Sequence, residues 1–86
     1  MKLLELPDGM VSLEFQASER GGLMERLGKF GSVRRQPQAR YVRISVGPEQ
    51  FVYQDEWDEP SLISTSKAGA KLLRRLVASP AHSKAA

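Results

Sequence analysis

Asp55, Glu56, Trp57, Asp58 and Glu59 set four carboxylates around the only tryptophan of the chain. Carboxylates this dense have three chemical uses. A pair of them can share general acid and general base work, several can hold a hard cation through oxygen, or a ring of them can select a basic partner that an aromatic side chain anchors. The spacing lacks the glycine and the ladder of oxygen ligands of a calcium loop. His82, the only histidine, follows Pro80 near the end of the chain, and there is no cysteine. A histidine-assisted hydroxyl or thiol nucleophile therefore has nothing to be assembled from. The residues point to recognition, with no enzymatic activity, no metal and no cofactor expected. Two arrangements are open. Trp57 can pack down as a lid on the core while the acids face water or pair with Arg34, Arg35, Arg40 or Arg43. Alternatively, Trp57 can stand exposed as the anchor for a partner protein, as in a small regulatory, inhibitor or immunity-like domain that masks a basic site.

A second constellation follows in sequence. Lys67, Lys71, Arg74 and Arg75 recur at helical spacing and form one basic side of a helix, which can be a solvated face or a track for a phosphate backbone. Ser66-Lys67-Ala68-Gly69-Ala70-Lys71, preceded by a helix and by the strand-like run Tyr41 to Gly47, resembles in part the second-helix signature of double-stranded-RNA-binding domains. The resemblance covers about half of the chain. It implies that Lys67 and Lys71 grip phosphates across a groove of duplex RNA. Ala68 stands where that signature has its second lysine, and an extra hairpin precedes the first helix. Four acids lie just ahead of the helix that would meet phosphate. Nucleic-acid binding through this helix is therefore the alternative to protein binding. Arg34, Arg35, Arg40 and Arg43 make a further basic cluster, with Tyr41 sharing a strand face with Arg43.

Charge is strongly blocked along the chain. Residues 1–18 sum to −2, 19–43 to +5, 44–60 to −5 and 61–86 to +5, for a net charge of +3. Such blocks either pair across the fold or leave patches of opposite sign. With 86 residues, 41% apolar and 27% charged, the chain has the composition of one small globular domain. A domain of this size buries only about 60% of the surface its unfolded chain exposes, so a partner or a second copy would help it. The start, Met1 to Pro7, is too short in apolar residues for a signal segment, and no run nears the ~20 apolar residues of a membrane span. The expected setting is the cytoplasm, of a bacterium.

The elements that must position these residues are legible in outline. Lys2 to Leu6 and Met10 to Ala17 read as strands around a Pro7-Asp8-Gly9 turn, because Val11, Leu13 and Phe15 alternate with polar residues. Ser18 is placed to cap a helix over about 19–30, with Leu23, Leu27 and Phe30 on one side and Gly31 as its stop. Residues 32–36 read as a short strand or a loop, and Pro37-Gln38 as a turn. Ala39 to Val46 and Gln50 to Gln54 are strands around Gly47-Pro48-Glu49. Leu62-Ile63 closes the core beneath the acidic loop, 54–60. Thr65 or Ser66 caps an amphipathic helix over 67–78, whose apolar side centres on Gly69 and Leu73.

The expected architecture is a single α+β domain over residues 1–79, with a disordered tail from 80 to 86. An antiparallel sheet of four or five strands carries both helices on one face, in the order ββα(β)ββα. The expected core is Val11, Leu13, Phe15, Leu23, Leu27, Phe30, Val42, Ile44, Phe51, Leu72, Leu73 and Leu76.

Overall fold

A computed structural model describes residues 1–56 and 59–78. The chain runs β1 (Lys2–Glu5), β2 (Val11–Glu14), a 3-10 turn (Ala17–Glu19), α1 (Arg20–Leu27), β3 (Val33–Pro37), β4 (Val42–Val46), β5 (Glu49–Glu56), β6 (Glu59–Ser64) and α2 (Lys67–Ala78). The strands form one antiparallel sheet of six, in the order β1-β2-β6-β5-β4-β3, with both helices on one face. The class is α+β as the sequence implies, but with six strands in place of four or five.

The two additional pairings were hidden by composition. Val33 to Pro37 carries no apolar alternation and becomes a strand only by pairing with β4, Val33 opposite Val46 and Pro37 opposite Val42. Pro37 has no N–H to give, which an edge strand tolerates and a central one does not. The segment expected as an acidic loop instead continues the ladder. β5 and β6 stay paired through Asp55 opposite Pro60 and Glu56 opposite Glu59, so only two residues remain between the strands.

One core lies between sheet and helices. Val11, Leu13, Ile44, Val46, Phe51, Tyr53 and Leu62 come from the sheet, and Leu23, Leu27, Ala70, Leu73 and Leu76 from the helices, joined by Phe15. Val46, Tyr53, Leu62 and Ala70 are additions to the expected set. Val42 and Leu72 sit at its margin, half-buried. Phe30 is a correction. α1 ends at Leu27 with Gly28 as its cap, and successive tight turns carry Phe30 to the surface, 38% exposed. There the Arg75 guanidinium lies 5.9 Å from its ring centre. The start of the first helical segment also differs from expectation. Glu19, not Ser18, makes the polar contact there, accepting the Gln16 N–H through Oε1 at 2.8 Å.

The second helix matches its expected bounds because its sequence is locally consistent. Ser66 Oγ accepts the Gly69 N–H at 2.9 Å and satisfies an amide of the first turn. Gly69 is buried against the Phe51 ring, and a Cβ built there would lie 3.3 Å from Phe51 Cε2. The missing side chain is what lets α2 seat on β5. Gly47 turns the chain between β4 and β5 with φ of 59°, in the left-handed region that glycine enters freely. Among the described residues no helix is long and apolar enough to cross a membrane.

Candidate functional site

The acidic residues are positioned by the far end of the β5–β6 hairpin. β4 accompanies β5 only as far as Val42 opposite Tyr53, and β2 accompanies β6 only as far as Glu14 opposite Ser61. The last two pairs of the hairpin run on past both neighbours, held on one side by the Phe15 N–H donating to Pro60 C=O at 3.1 Å. The register sets Glu56 opposite Glu59 as the last pair of the hairpin.

Alternation then divides the acids between two sides. Phe51 and Tyr53 face the helices, so Asp55 falls on that side, and its Oδ2 accepts from Arg20 Nη2 at 3.2 Å. The same guanidinium lies 5.7 Å from the Tyr53 ring centre. Of the two fates open to the acids, water or an arginine, Asp55 takes an arginine of α1; among the described residues Arg34, Arg35, Arg40 and Arg43 form no ion pair. Glu59 lies on the other side with Ser61 and Ile63, exposed and without an ion pair among the described residues. Trp57 and Asp58 lie outside the described residues, and so do the tail and His82. Whether the tryptophan serves as lid or anchor is therefore left to experiment.

Around this end of the molecule an open depression of about 480 Å³ is lined by Met1, Lys2, Glu14, Phe15, Gln16, Glu19 and Glu59. Glu19 titrates below its ordinary value because the Gln16 amide and then the nearby terminal ammonium, 3.4 Å away, favour its charged form. Its charge is thus locally compensated, Glu14 has Lys2 as its cross-strand neighbour, and Glu59 forms no ion pair among the described residues. Sequence reasoning did not place Glu14 here; the strict alternation of β2 carried the signal, since Glu14 must face away from Val11 and Leu13. Among the described residues no group of three or more His, Cys, Asp or Glu side chains converges to hold a metal ion.

No family model, curated protein or solved structure matches this chain. The site's meaning therefore rests on its own geometry.

The four cations expected on the last helix do not act as a set. Arg74 grips Glu5 of β1 with two hydrogen bonds, Nη2 to Oε1 at 2.7 Å and Nε to Oε2 at 3.2 Å. That hydrogen bond holds the Glu5 carboxyl below its ordinary value and raises the guanidinium above its own. Arg75 is engaged with Phe30. Lys67 and Lys71 are exposed and form no ion pair among the described residues. Lys71 and Arg75 border a smaller groove of about 300 Å³, also lined by Phe30, Val46 and Leu72.

Proposed function

We propose that this chain is a small non-enzymatic protein-binding domain, of the regulatory, inhibitor or immunity-like kind, that uses the hairpin end from Asp55 to Glu59 to hold a basic surface of another protein. The observation that carries the reading is the overhang of the β5–β6 hairpin. It takes acidic residues beyond the support of the neighbouring strands, where a partner can reach them. A cationic surface is the complement of such charges, and rim charges of this sort steer encounter. A cytoplasmic setting belongs to the same reading, since a chain without cysteines has no disulfide for a reducing compartment to break.

The test is affinity capture with the intact tagged chain, beside two variants, Trp57→Ala and the double reversal Asp58→Lys with Glu59→Lys. The expected result is one protein recovered equally with and without nuclease. The double reversal then loses it, and so does Trp57→Ala, while both variants keep the parent's melting transition. Capture that survives the double reversal sinks the proposal. A Trp57→Ala chain that fails to fold removes the tryptophan from the contact and leaves the acids to carry it. The exposure of Lys67 and Lys71 keeps nucleic acid as the second reading. Salt-sensitive binding to duplex RNA that is lost in Lys67→Glu with Lys71→Glu would move the function to α2.

A further inference from the structure

The side of the sheet that faces away from the helices is covered by no described element, and at its β3–β4 end it gathers charge of one sign. Arg43 on β4 stands opposite Gln36, and Arg34 on β3 stands opposite Ser45. The two arginines are therefore diagonal neighbours on one side, about 7–8 Å apart. Tyr41 comes one place before β4, half-buried, and its carbonyl accepts the Gln38 N–H at 2.7 Å, so the pairing of the two strands carries on through it. Two residues from Arg43, it falls on the same side, about 7 Å further along. Arg40 is next, exposed in the turn that joins β3 to β4. Among the described residues Arg34, Arg40 and Arg43 form no ion pair, and neither they nor the Tyr41 ring make a ring contact.

We propose that this end of the open face binds single-stranded nucleic acid, laid along β4. Arg34 and Arg43 each hold a phosphate, since a guanidinium fork matches phosphate oxygens, and their separation is comparable with that of successive phosphates in an extended strand. Arg40 continues the track at the turn. The Tyr41 ring offers a flat surface on which an unstacked base can lie, the contact by which sheets and barrels hold single strands without reading sequence. Gln36 and Gln50, which stand beside Arg43 and Ser45 in the register, present side-chain amides to base edges.

Charge complementarity selects this occupant. A backbone following β4 stays clear of the acids. Glu14 is three strands away on β2, about 14 Å, and Glu56 is four residues along β5 from Val52, the partner of Arg43, about 13 Å. Both distances exceed the ~8 Å screening length of physiological salt. A lipid surface would need an apolar anchor beside the arginines. The exposed large apolar residues are Met1, Phe30 and Val77, none of them on β3 or β4. An acidic protein would satisfy the guanidinium groups but brings no base to the Tyr41 ring, and a duplex keeps its bases stacked inside. With three phosphates engaged, log K should fall against log salt with a slope of about −2, from ~0.7 per phosphate of a single strand.

Fluorescence anisotropy of a labelled oligothymidylate, titrated with the intact chain at several salt concentrations, tests the proposal. Binding with that slope is expected. Arg34→Ala and Arg43→Ala each weaken it by about fivefold or more and make the slope shallower by about 0.7. Tyr41→Leu weakens it by at least about fivefold and leaves the slope unchanged, because stacking releases no counterion. Circular dichroism verifies folding, and Arg34→Ala, at an exposed position of the edge strand, decides the matter even where a half-buried neighbour cannot be replaced. Absence of binding overturns the proposal, as does binding indifferent to Arg34→Ala. A Tyr41→Leu chain as tight as the parent overturns it too, leaving a general polyanion surface, and displacement by polyglutamate at the same charge concentration overturns it in favour of an acidic protein. Loss confined to Lys67→Glu with Lys71→Glu moves the contact to α2. None of these outcomes depends on the role given to the hairpin end, whose test uses other residues.

Discussion

The two faces of the sheet treat charge in opposite ways. On the side of the helices every arginine the helices carry is engaged: Arg20 with Asp55 and the Tyr53 ring, Arg26 with the Leu76 carbonyl, Arg74 with Glu5, and Arg75 over Phe30. On the other side Arg34, Arg43 and Glu59 form no ion pair among the described residues, and Glu14 has Lys2 only as a cross-strand neighbour. The difference is geometric. A helix lying across a sheet brings its long side chains over several strands at once, so an acid on any of them is within reach. Charges held by the sheet alone are separated by strand spacing. Arg43 on β4 and Glu14 on β2 are three strands apart, about 14 Å, which exceeds both ion-pair contact and the ~8 Å screening length of physiological salt. Equal numbers of charges can thus be satisfied within one chain or left for another molecule, according to what lies over them.

Three measurements sharpen or break this contrast. Leu73 is fully buried where α2 meets the sheet, so Leu73→Ala should cost about 2–5 kcal/mol in urea denaturation. Val52→Thr on the uncovered side keeps shape and β-branching and should change stability by no more than about 0.5 kcal/mol. Similar costs for the two would mean that both sides are core. A smaller effect is expected at Tyr53, whose hydroxyl is buried without a hydrogen-bond partner among the described residues. Removing it in Tyr53→Phe should leave stability unchanged or raise it by up to about 1 kcal/mol. A clear loss would show that the hydroxyl is satisfied. The smallest effect concerns the Glu5–Arg74 pair. The Glu5 carboxyl titrates below its ordinary value of 4.5 because Arg74 hydrogen-bonds it. A depressed folded-state value contributes stability that is present above that ordinary value and is lost as pH falls through the folded one. Glu5→Gln should therefore lower stability slightly at neutral pH, where the pair contributes, and flatten the acid limb of a stability–pH curve, the two proteins converging as pH falls. An unchanged acid limb would mean that the pair is not formed in solution.

The elements with strong local periodicity were legible in the sequence. The β1–β2 hairpin follows from alternation around a Pro-Asp-Gly turn, and α2 from its amphipathic pattern and serine cap. What escaped was what only pairing defines. Val33 to Pro37 has no pattern of its own and becomes a strand because β4 is there to receive it. The β5–β6 hairpin lacks the glycine or asparagine that usually marks a tight turn, so its acids read as a loop. Phe30 looked like the next turn of α1, but three residues of periodicity cannot show that a helix has already stopped. The candidate site was legible as a set of residues and not as a set of partners. Asp55 was left to water or to the arginines of 34–43, although counting by twos from Phe51 already sends it to the helix side, where Arg20 waits.

The outer strand β3 bears on how large any assembly of this chain can grow. Its free flank offers adjacent arginines and a proline, and the opposite flank, β1, is only four residues long. A new strand added to β3 would stack guanidinium on guanidinium and meet a missing amide, so the sheet cannot lengthen sideways from one molecule to the next. Such an edge works against the open-ended polymer that six antiparallel strands would otherwise template.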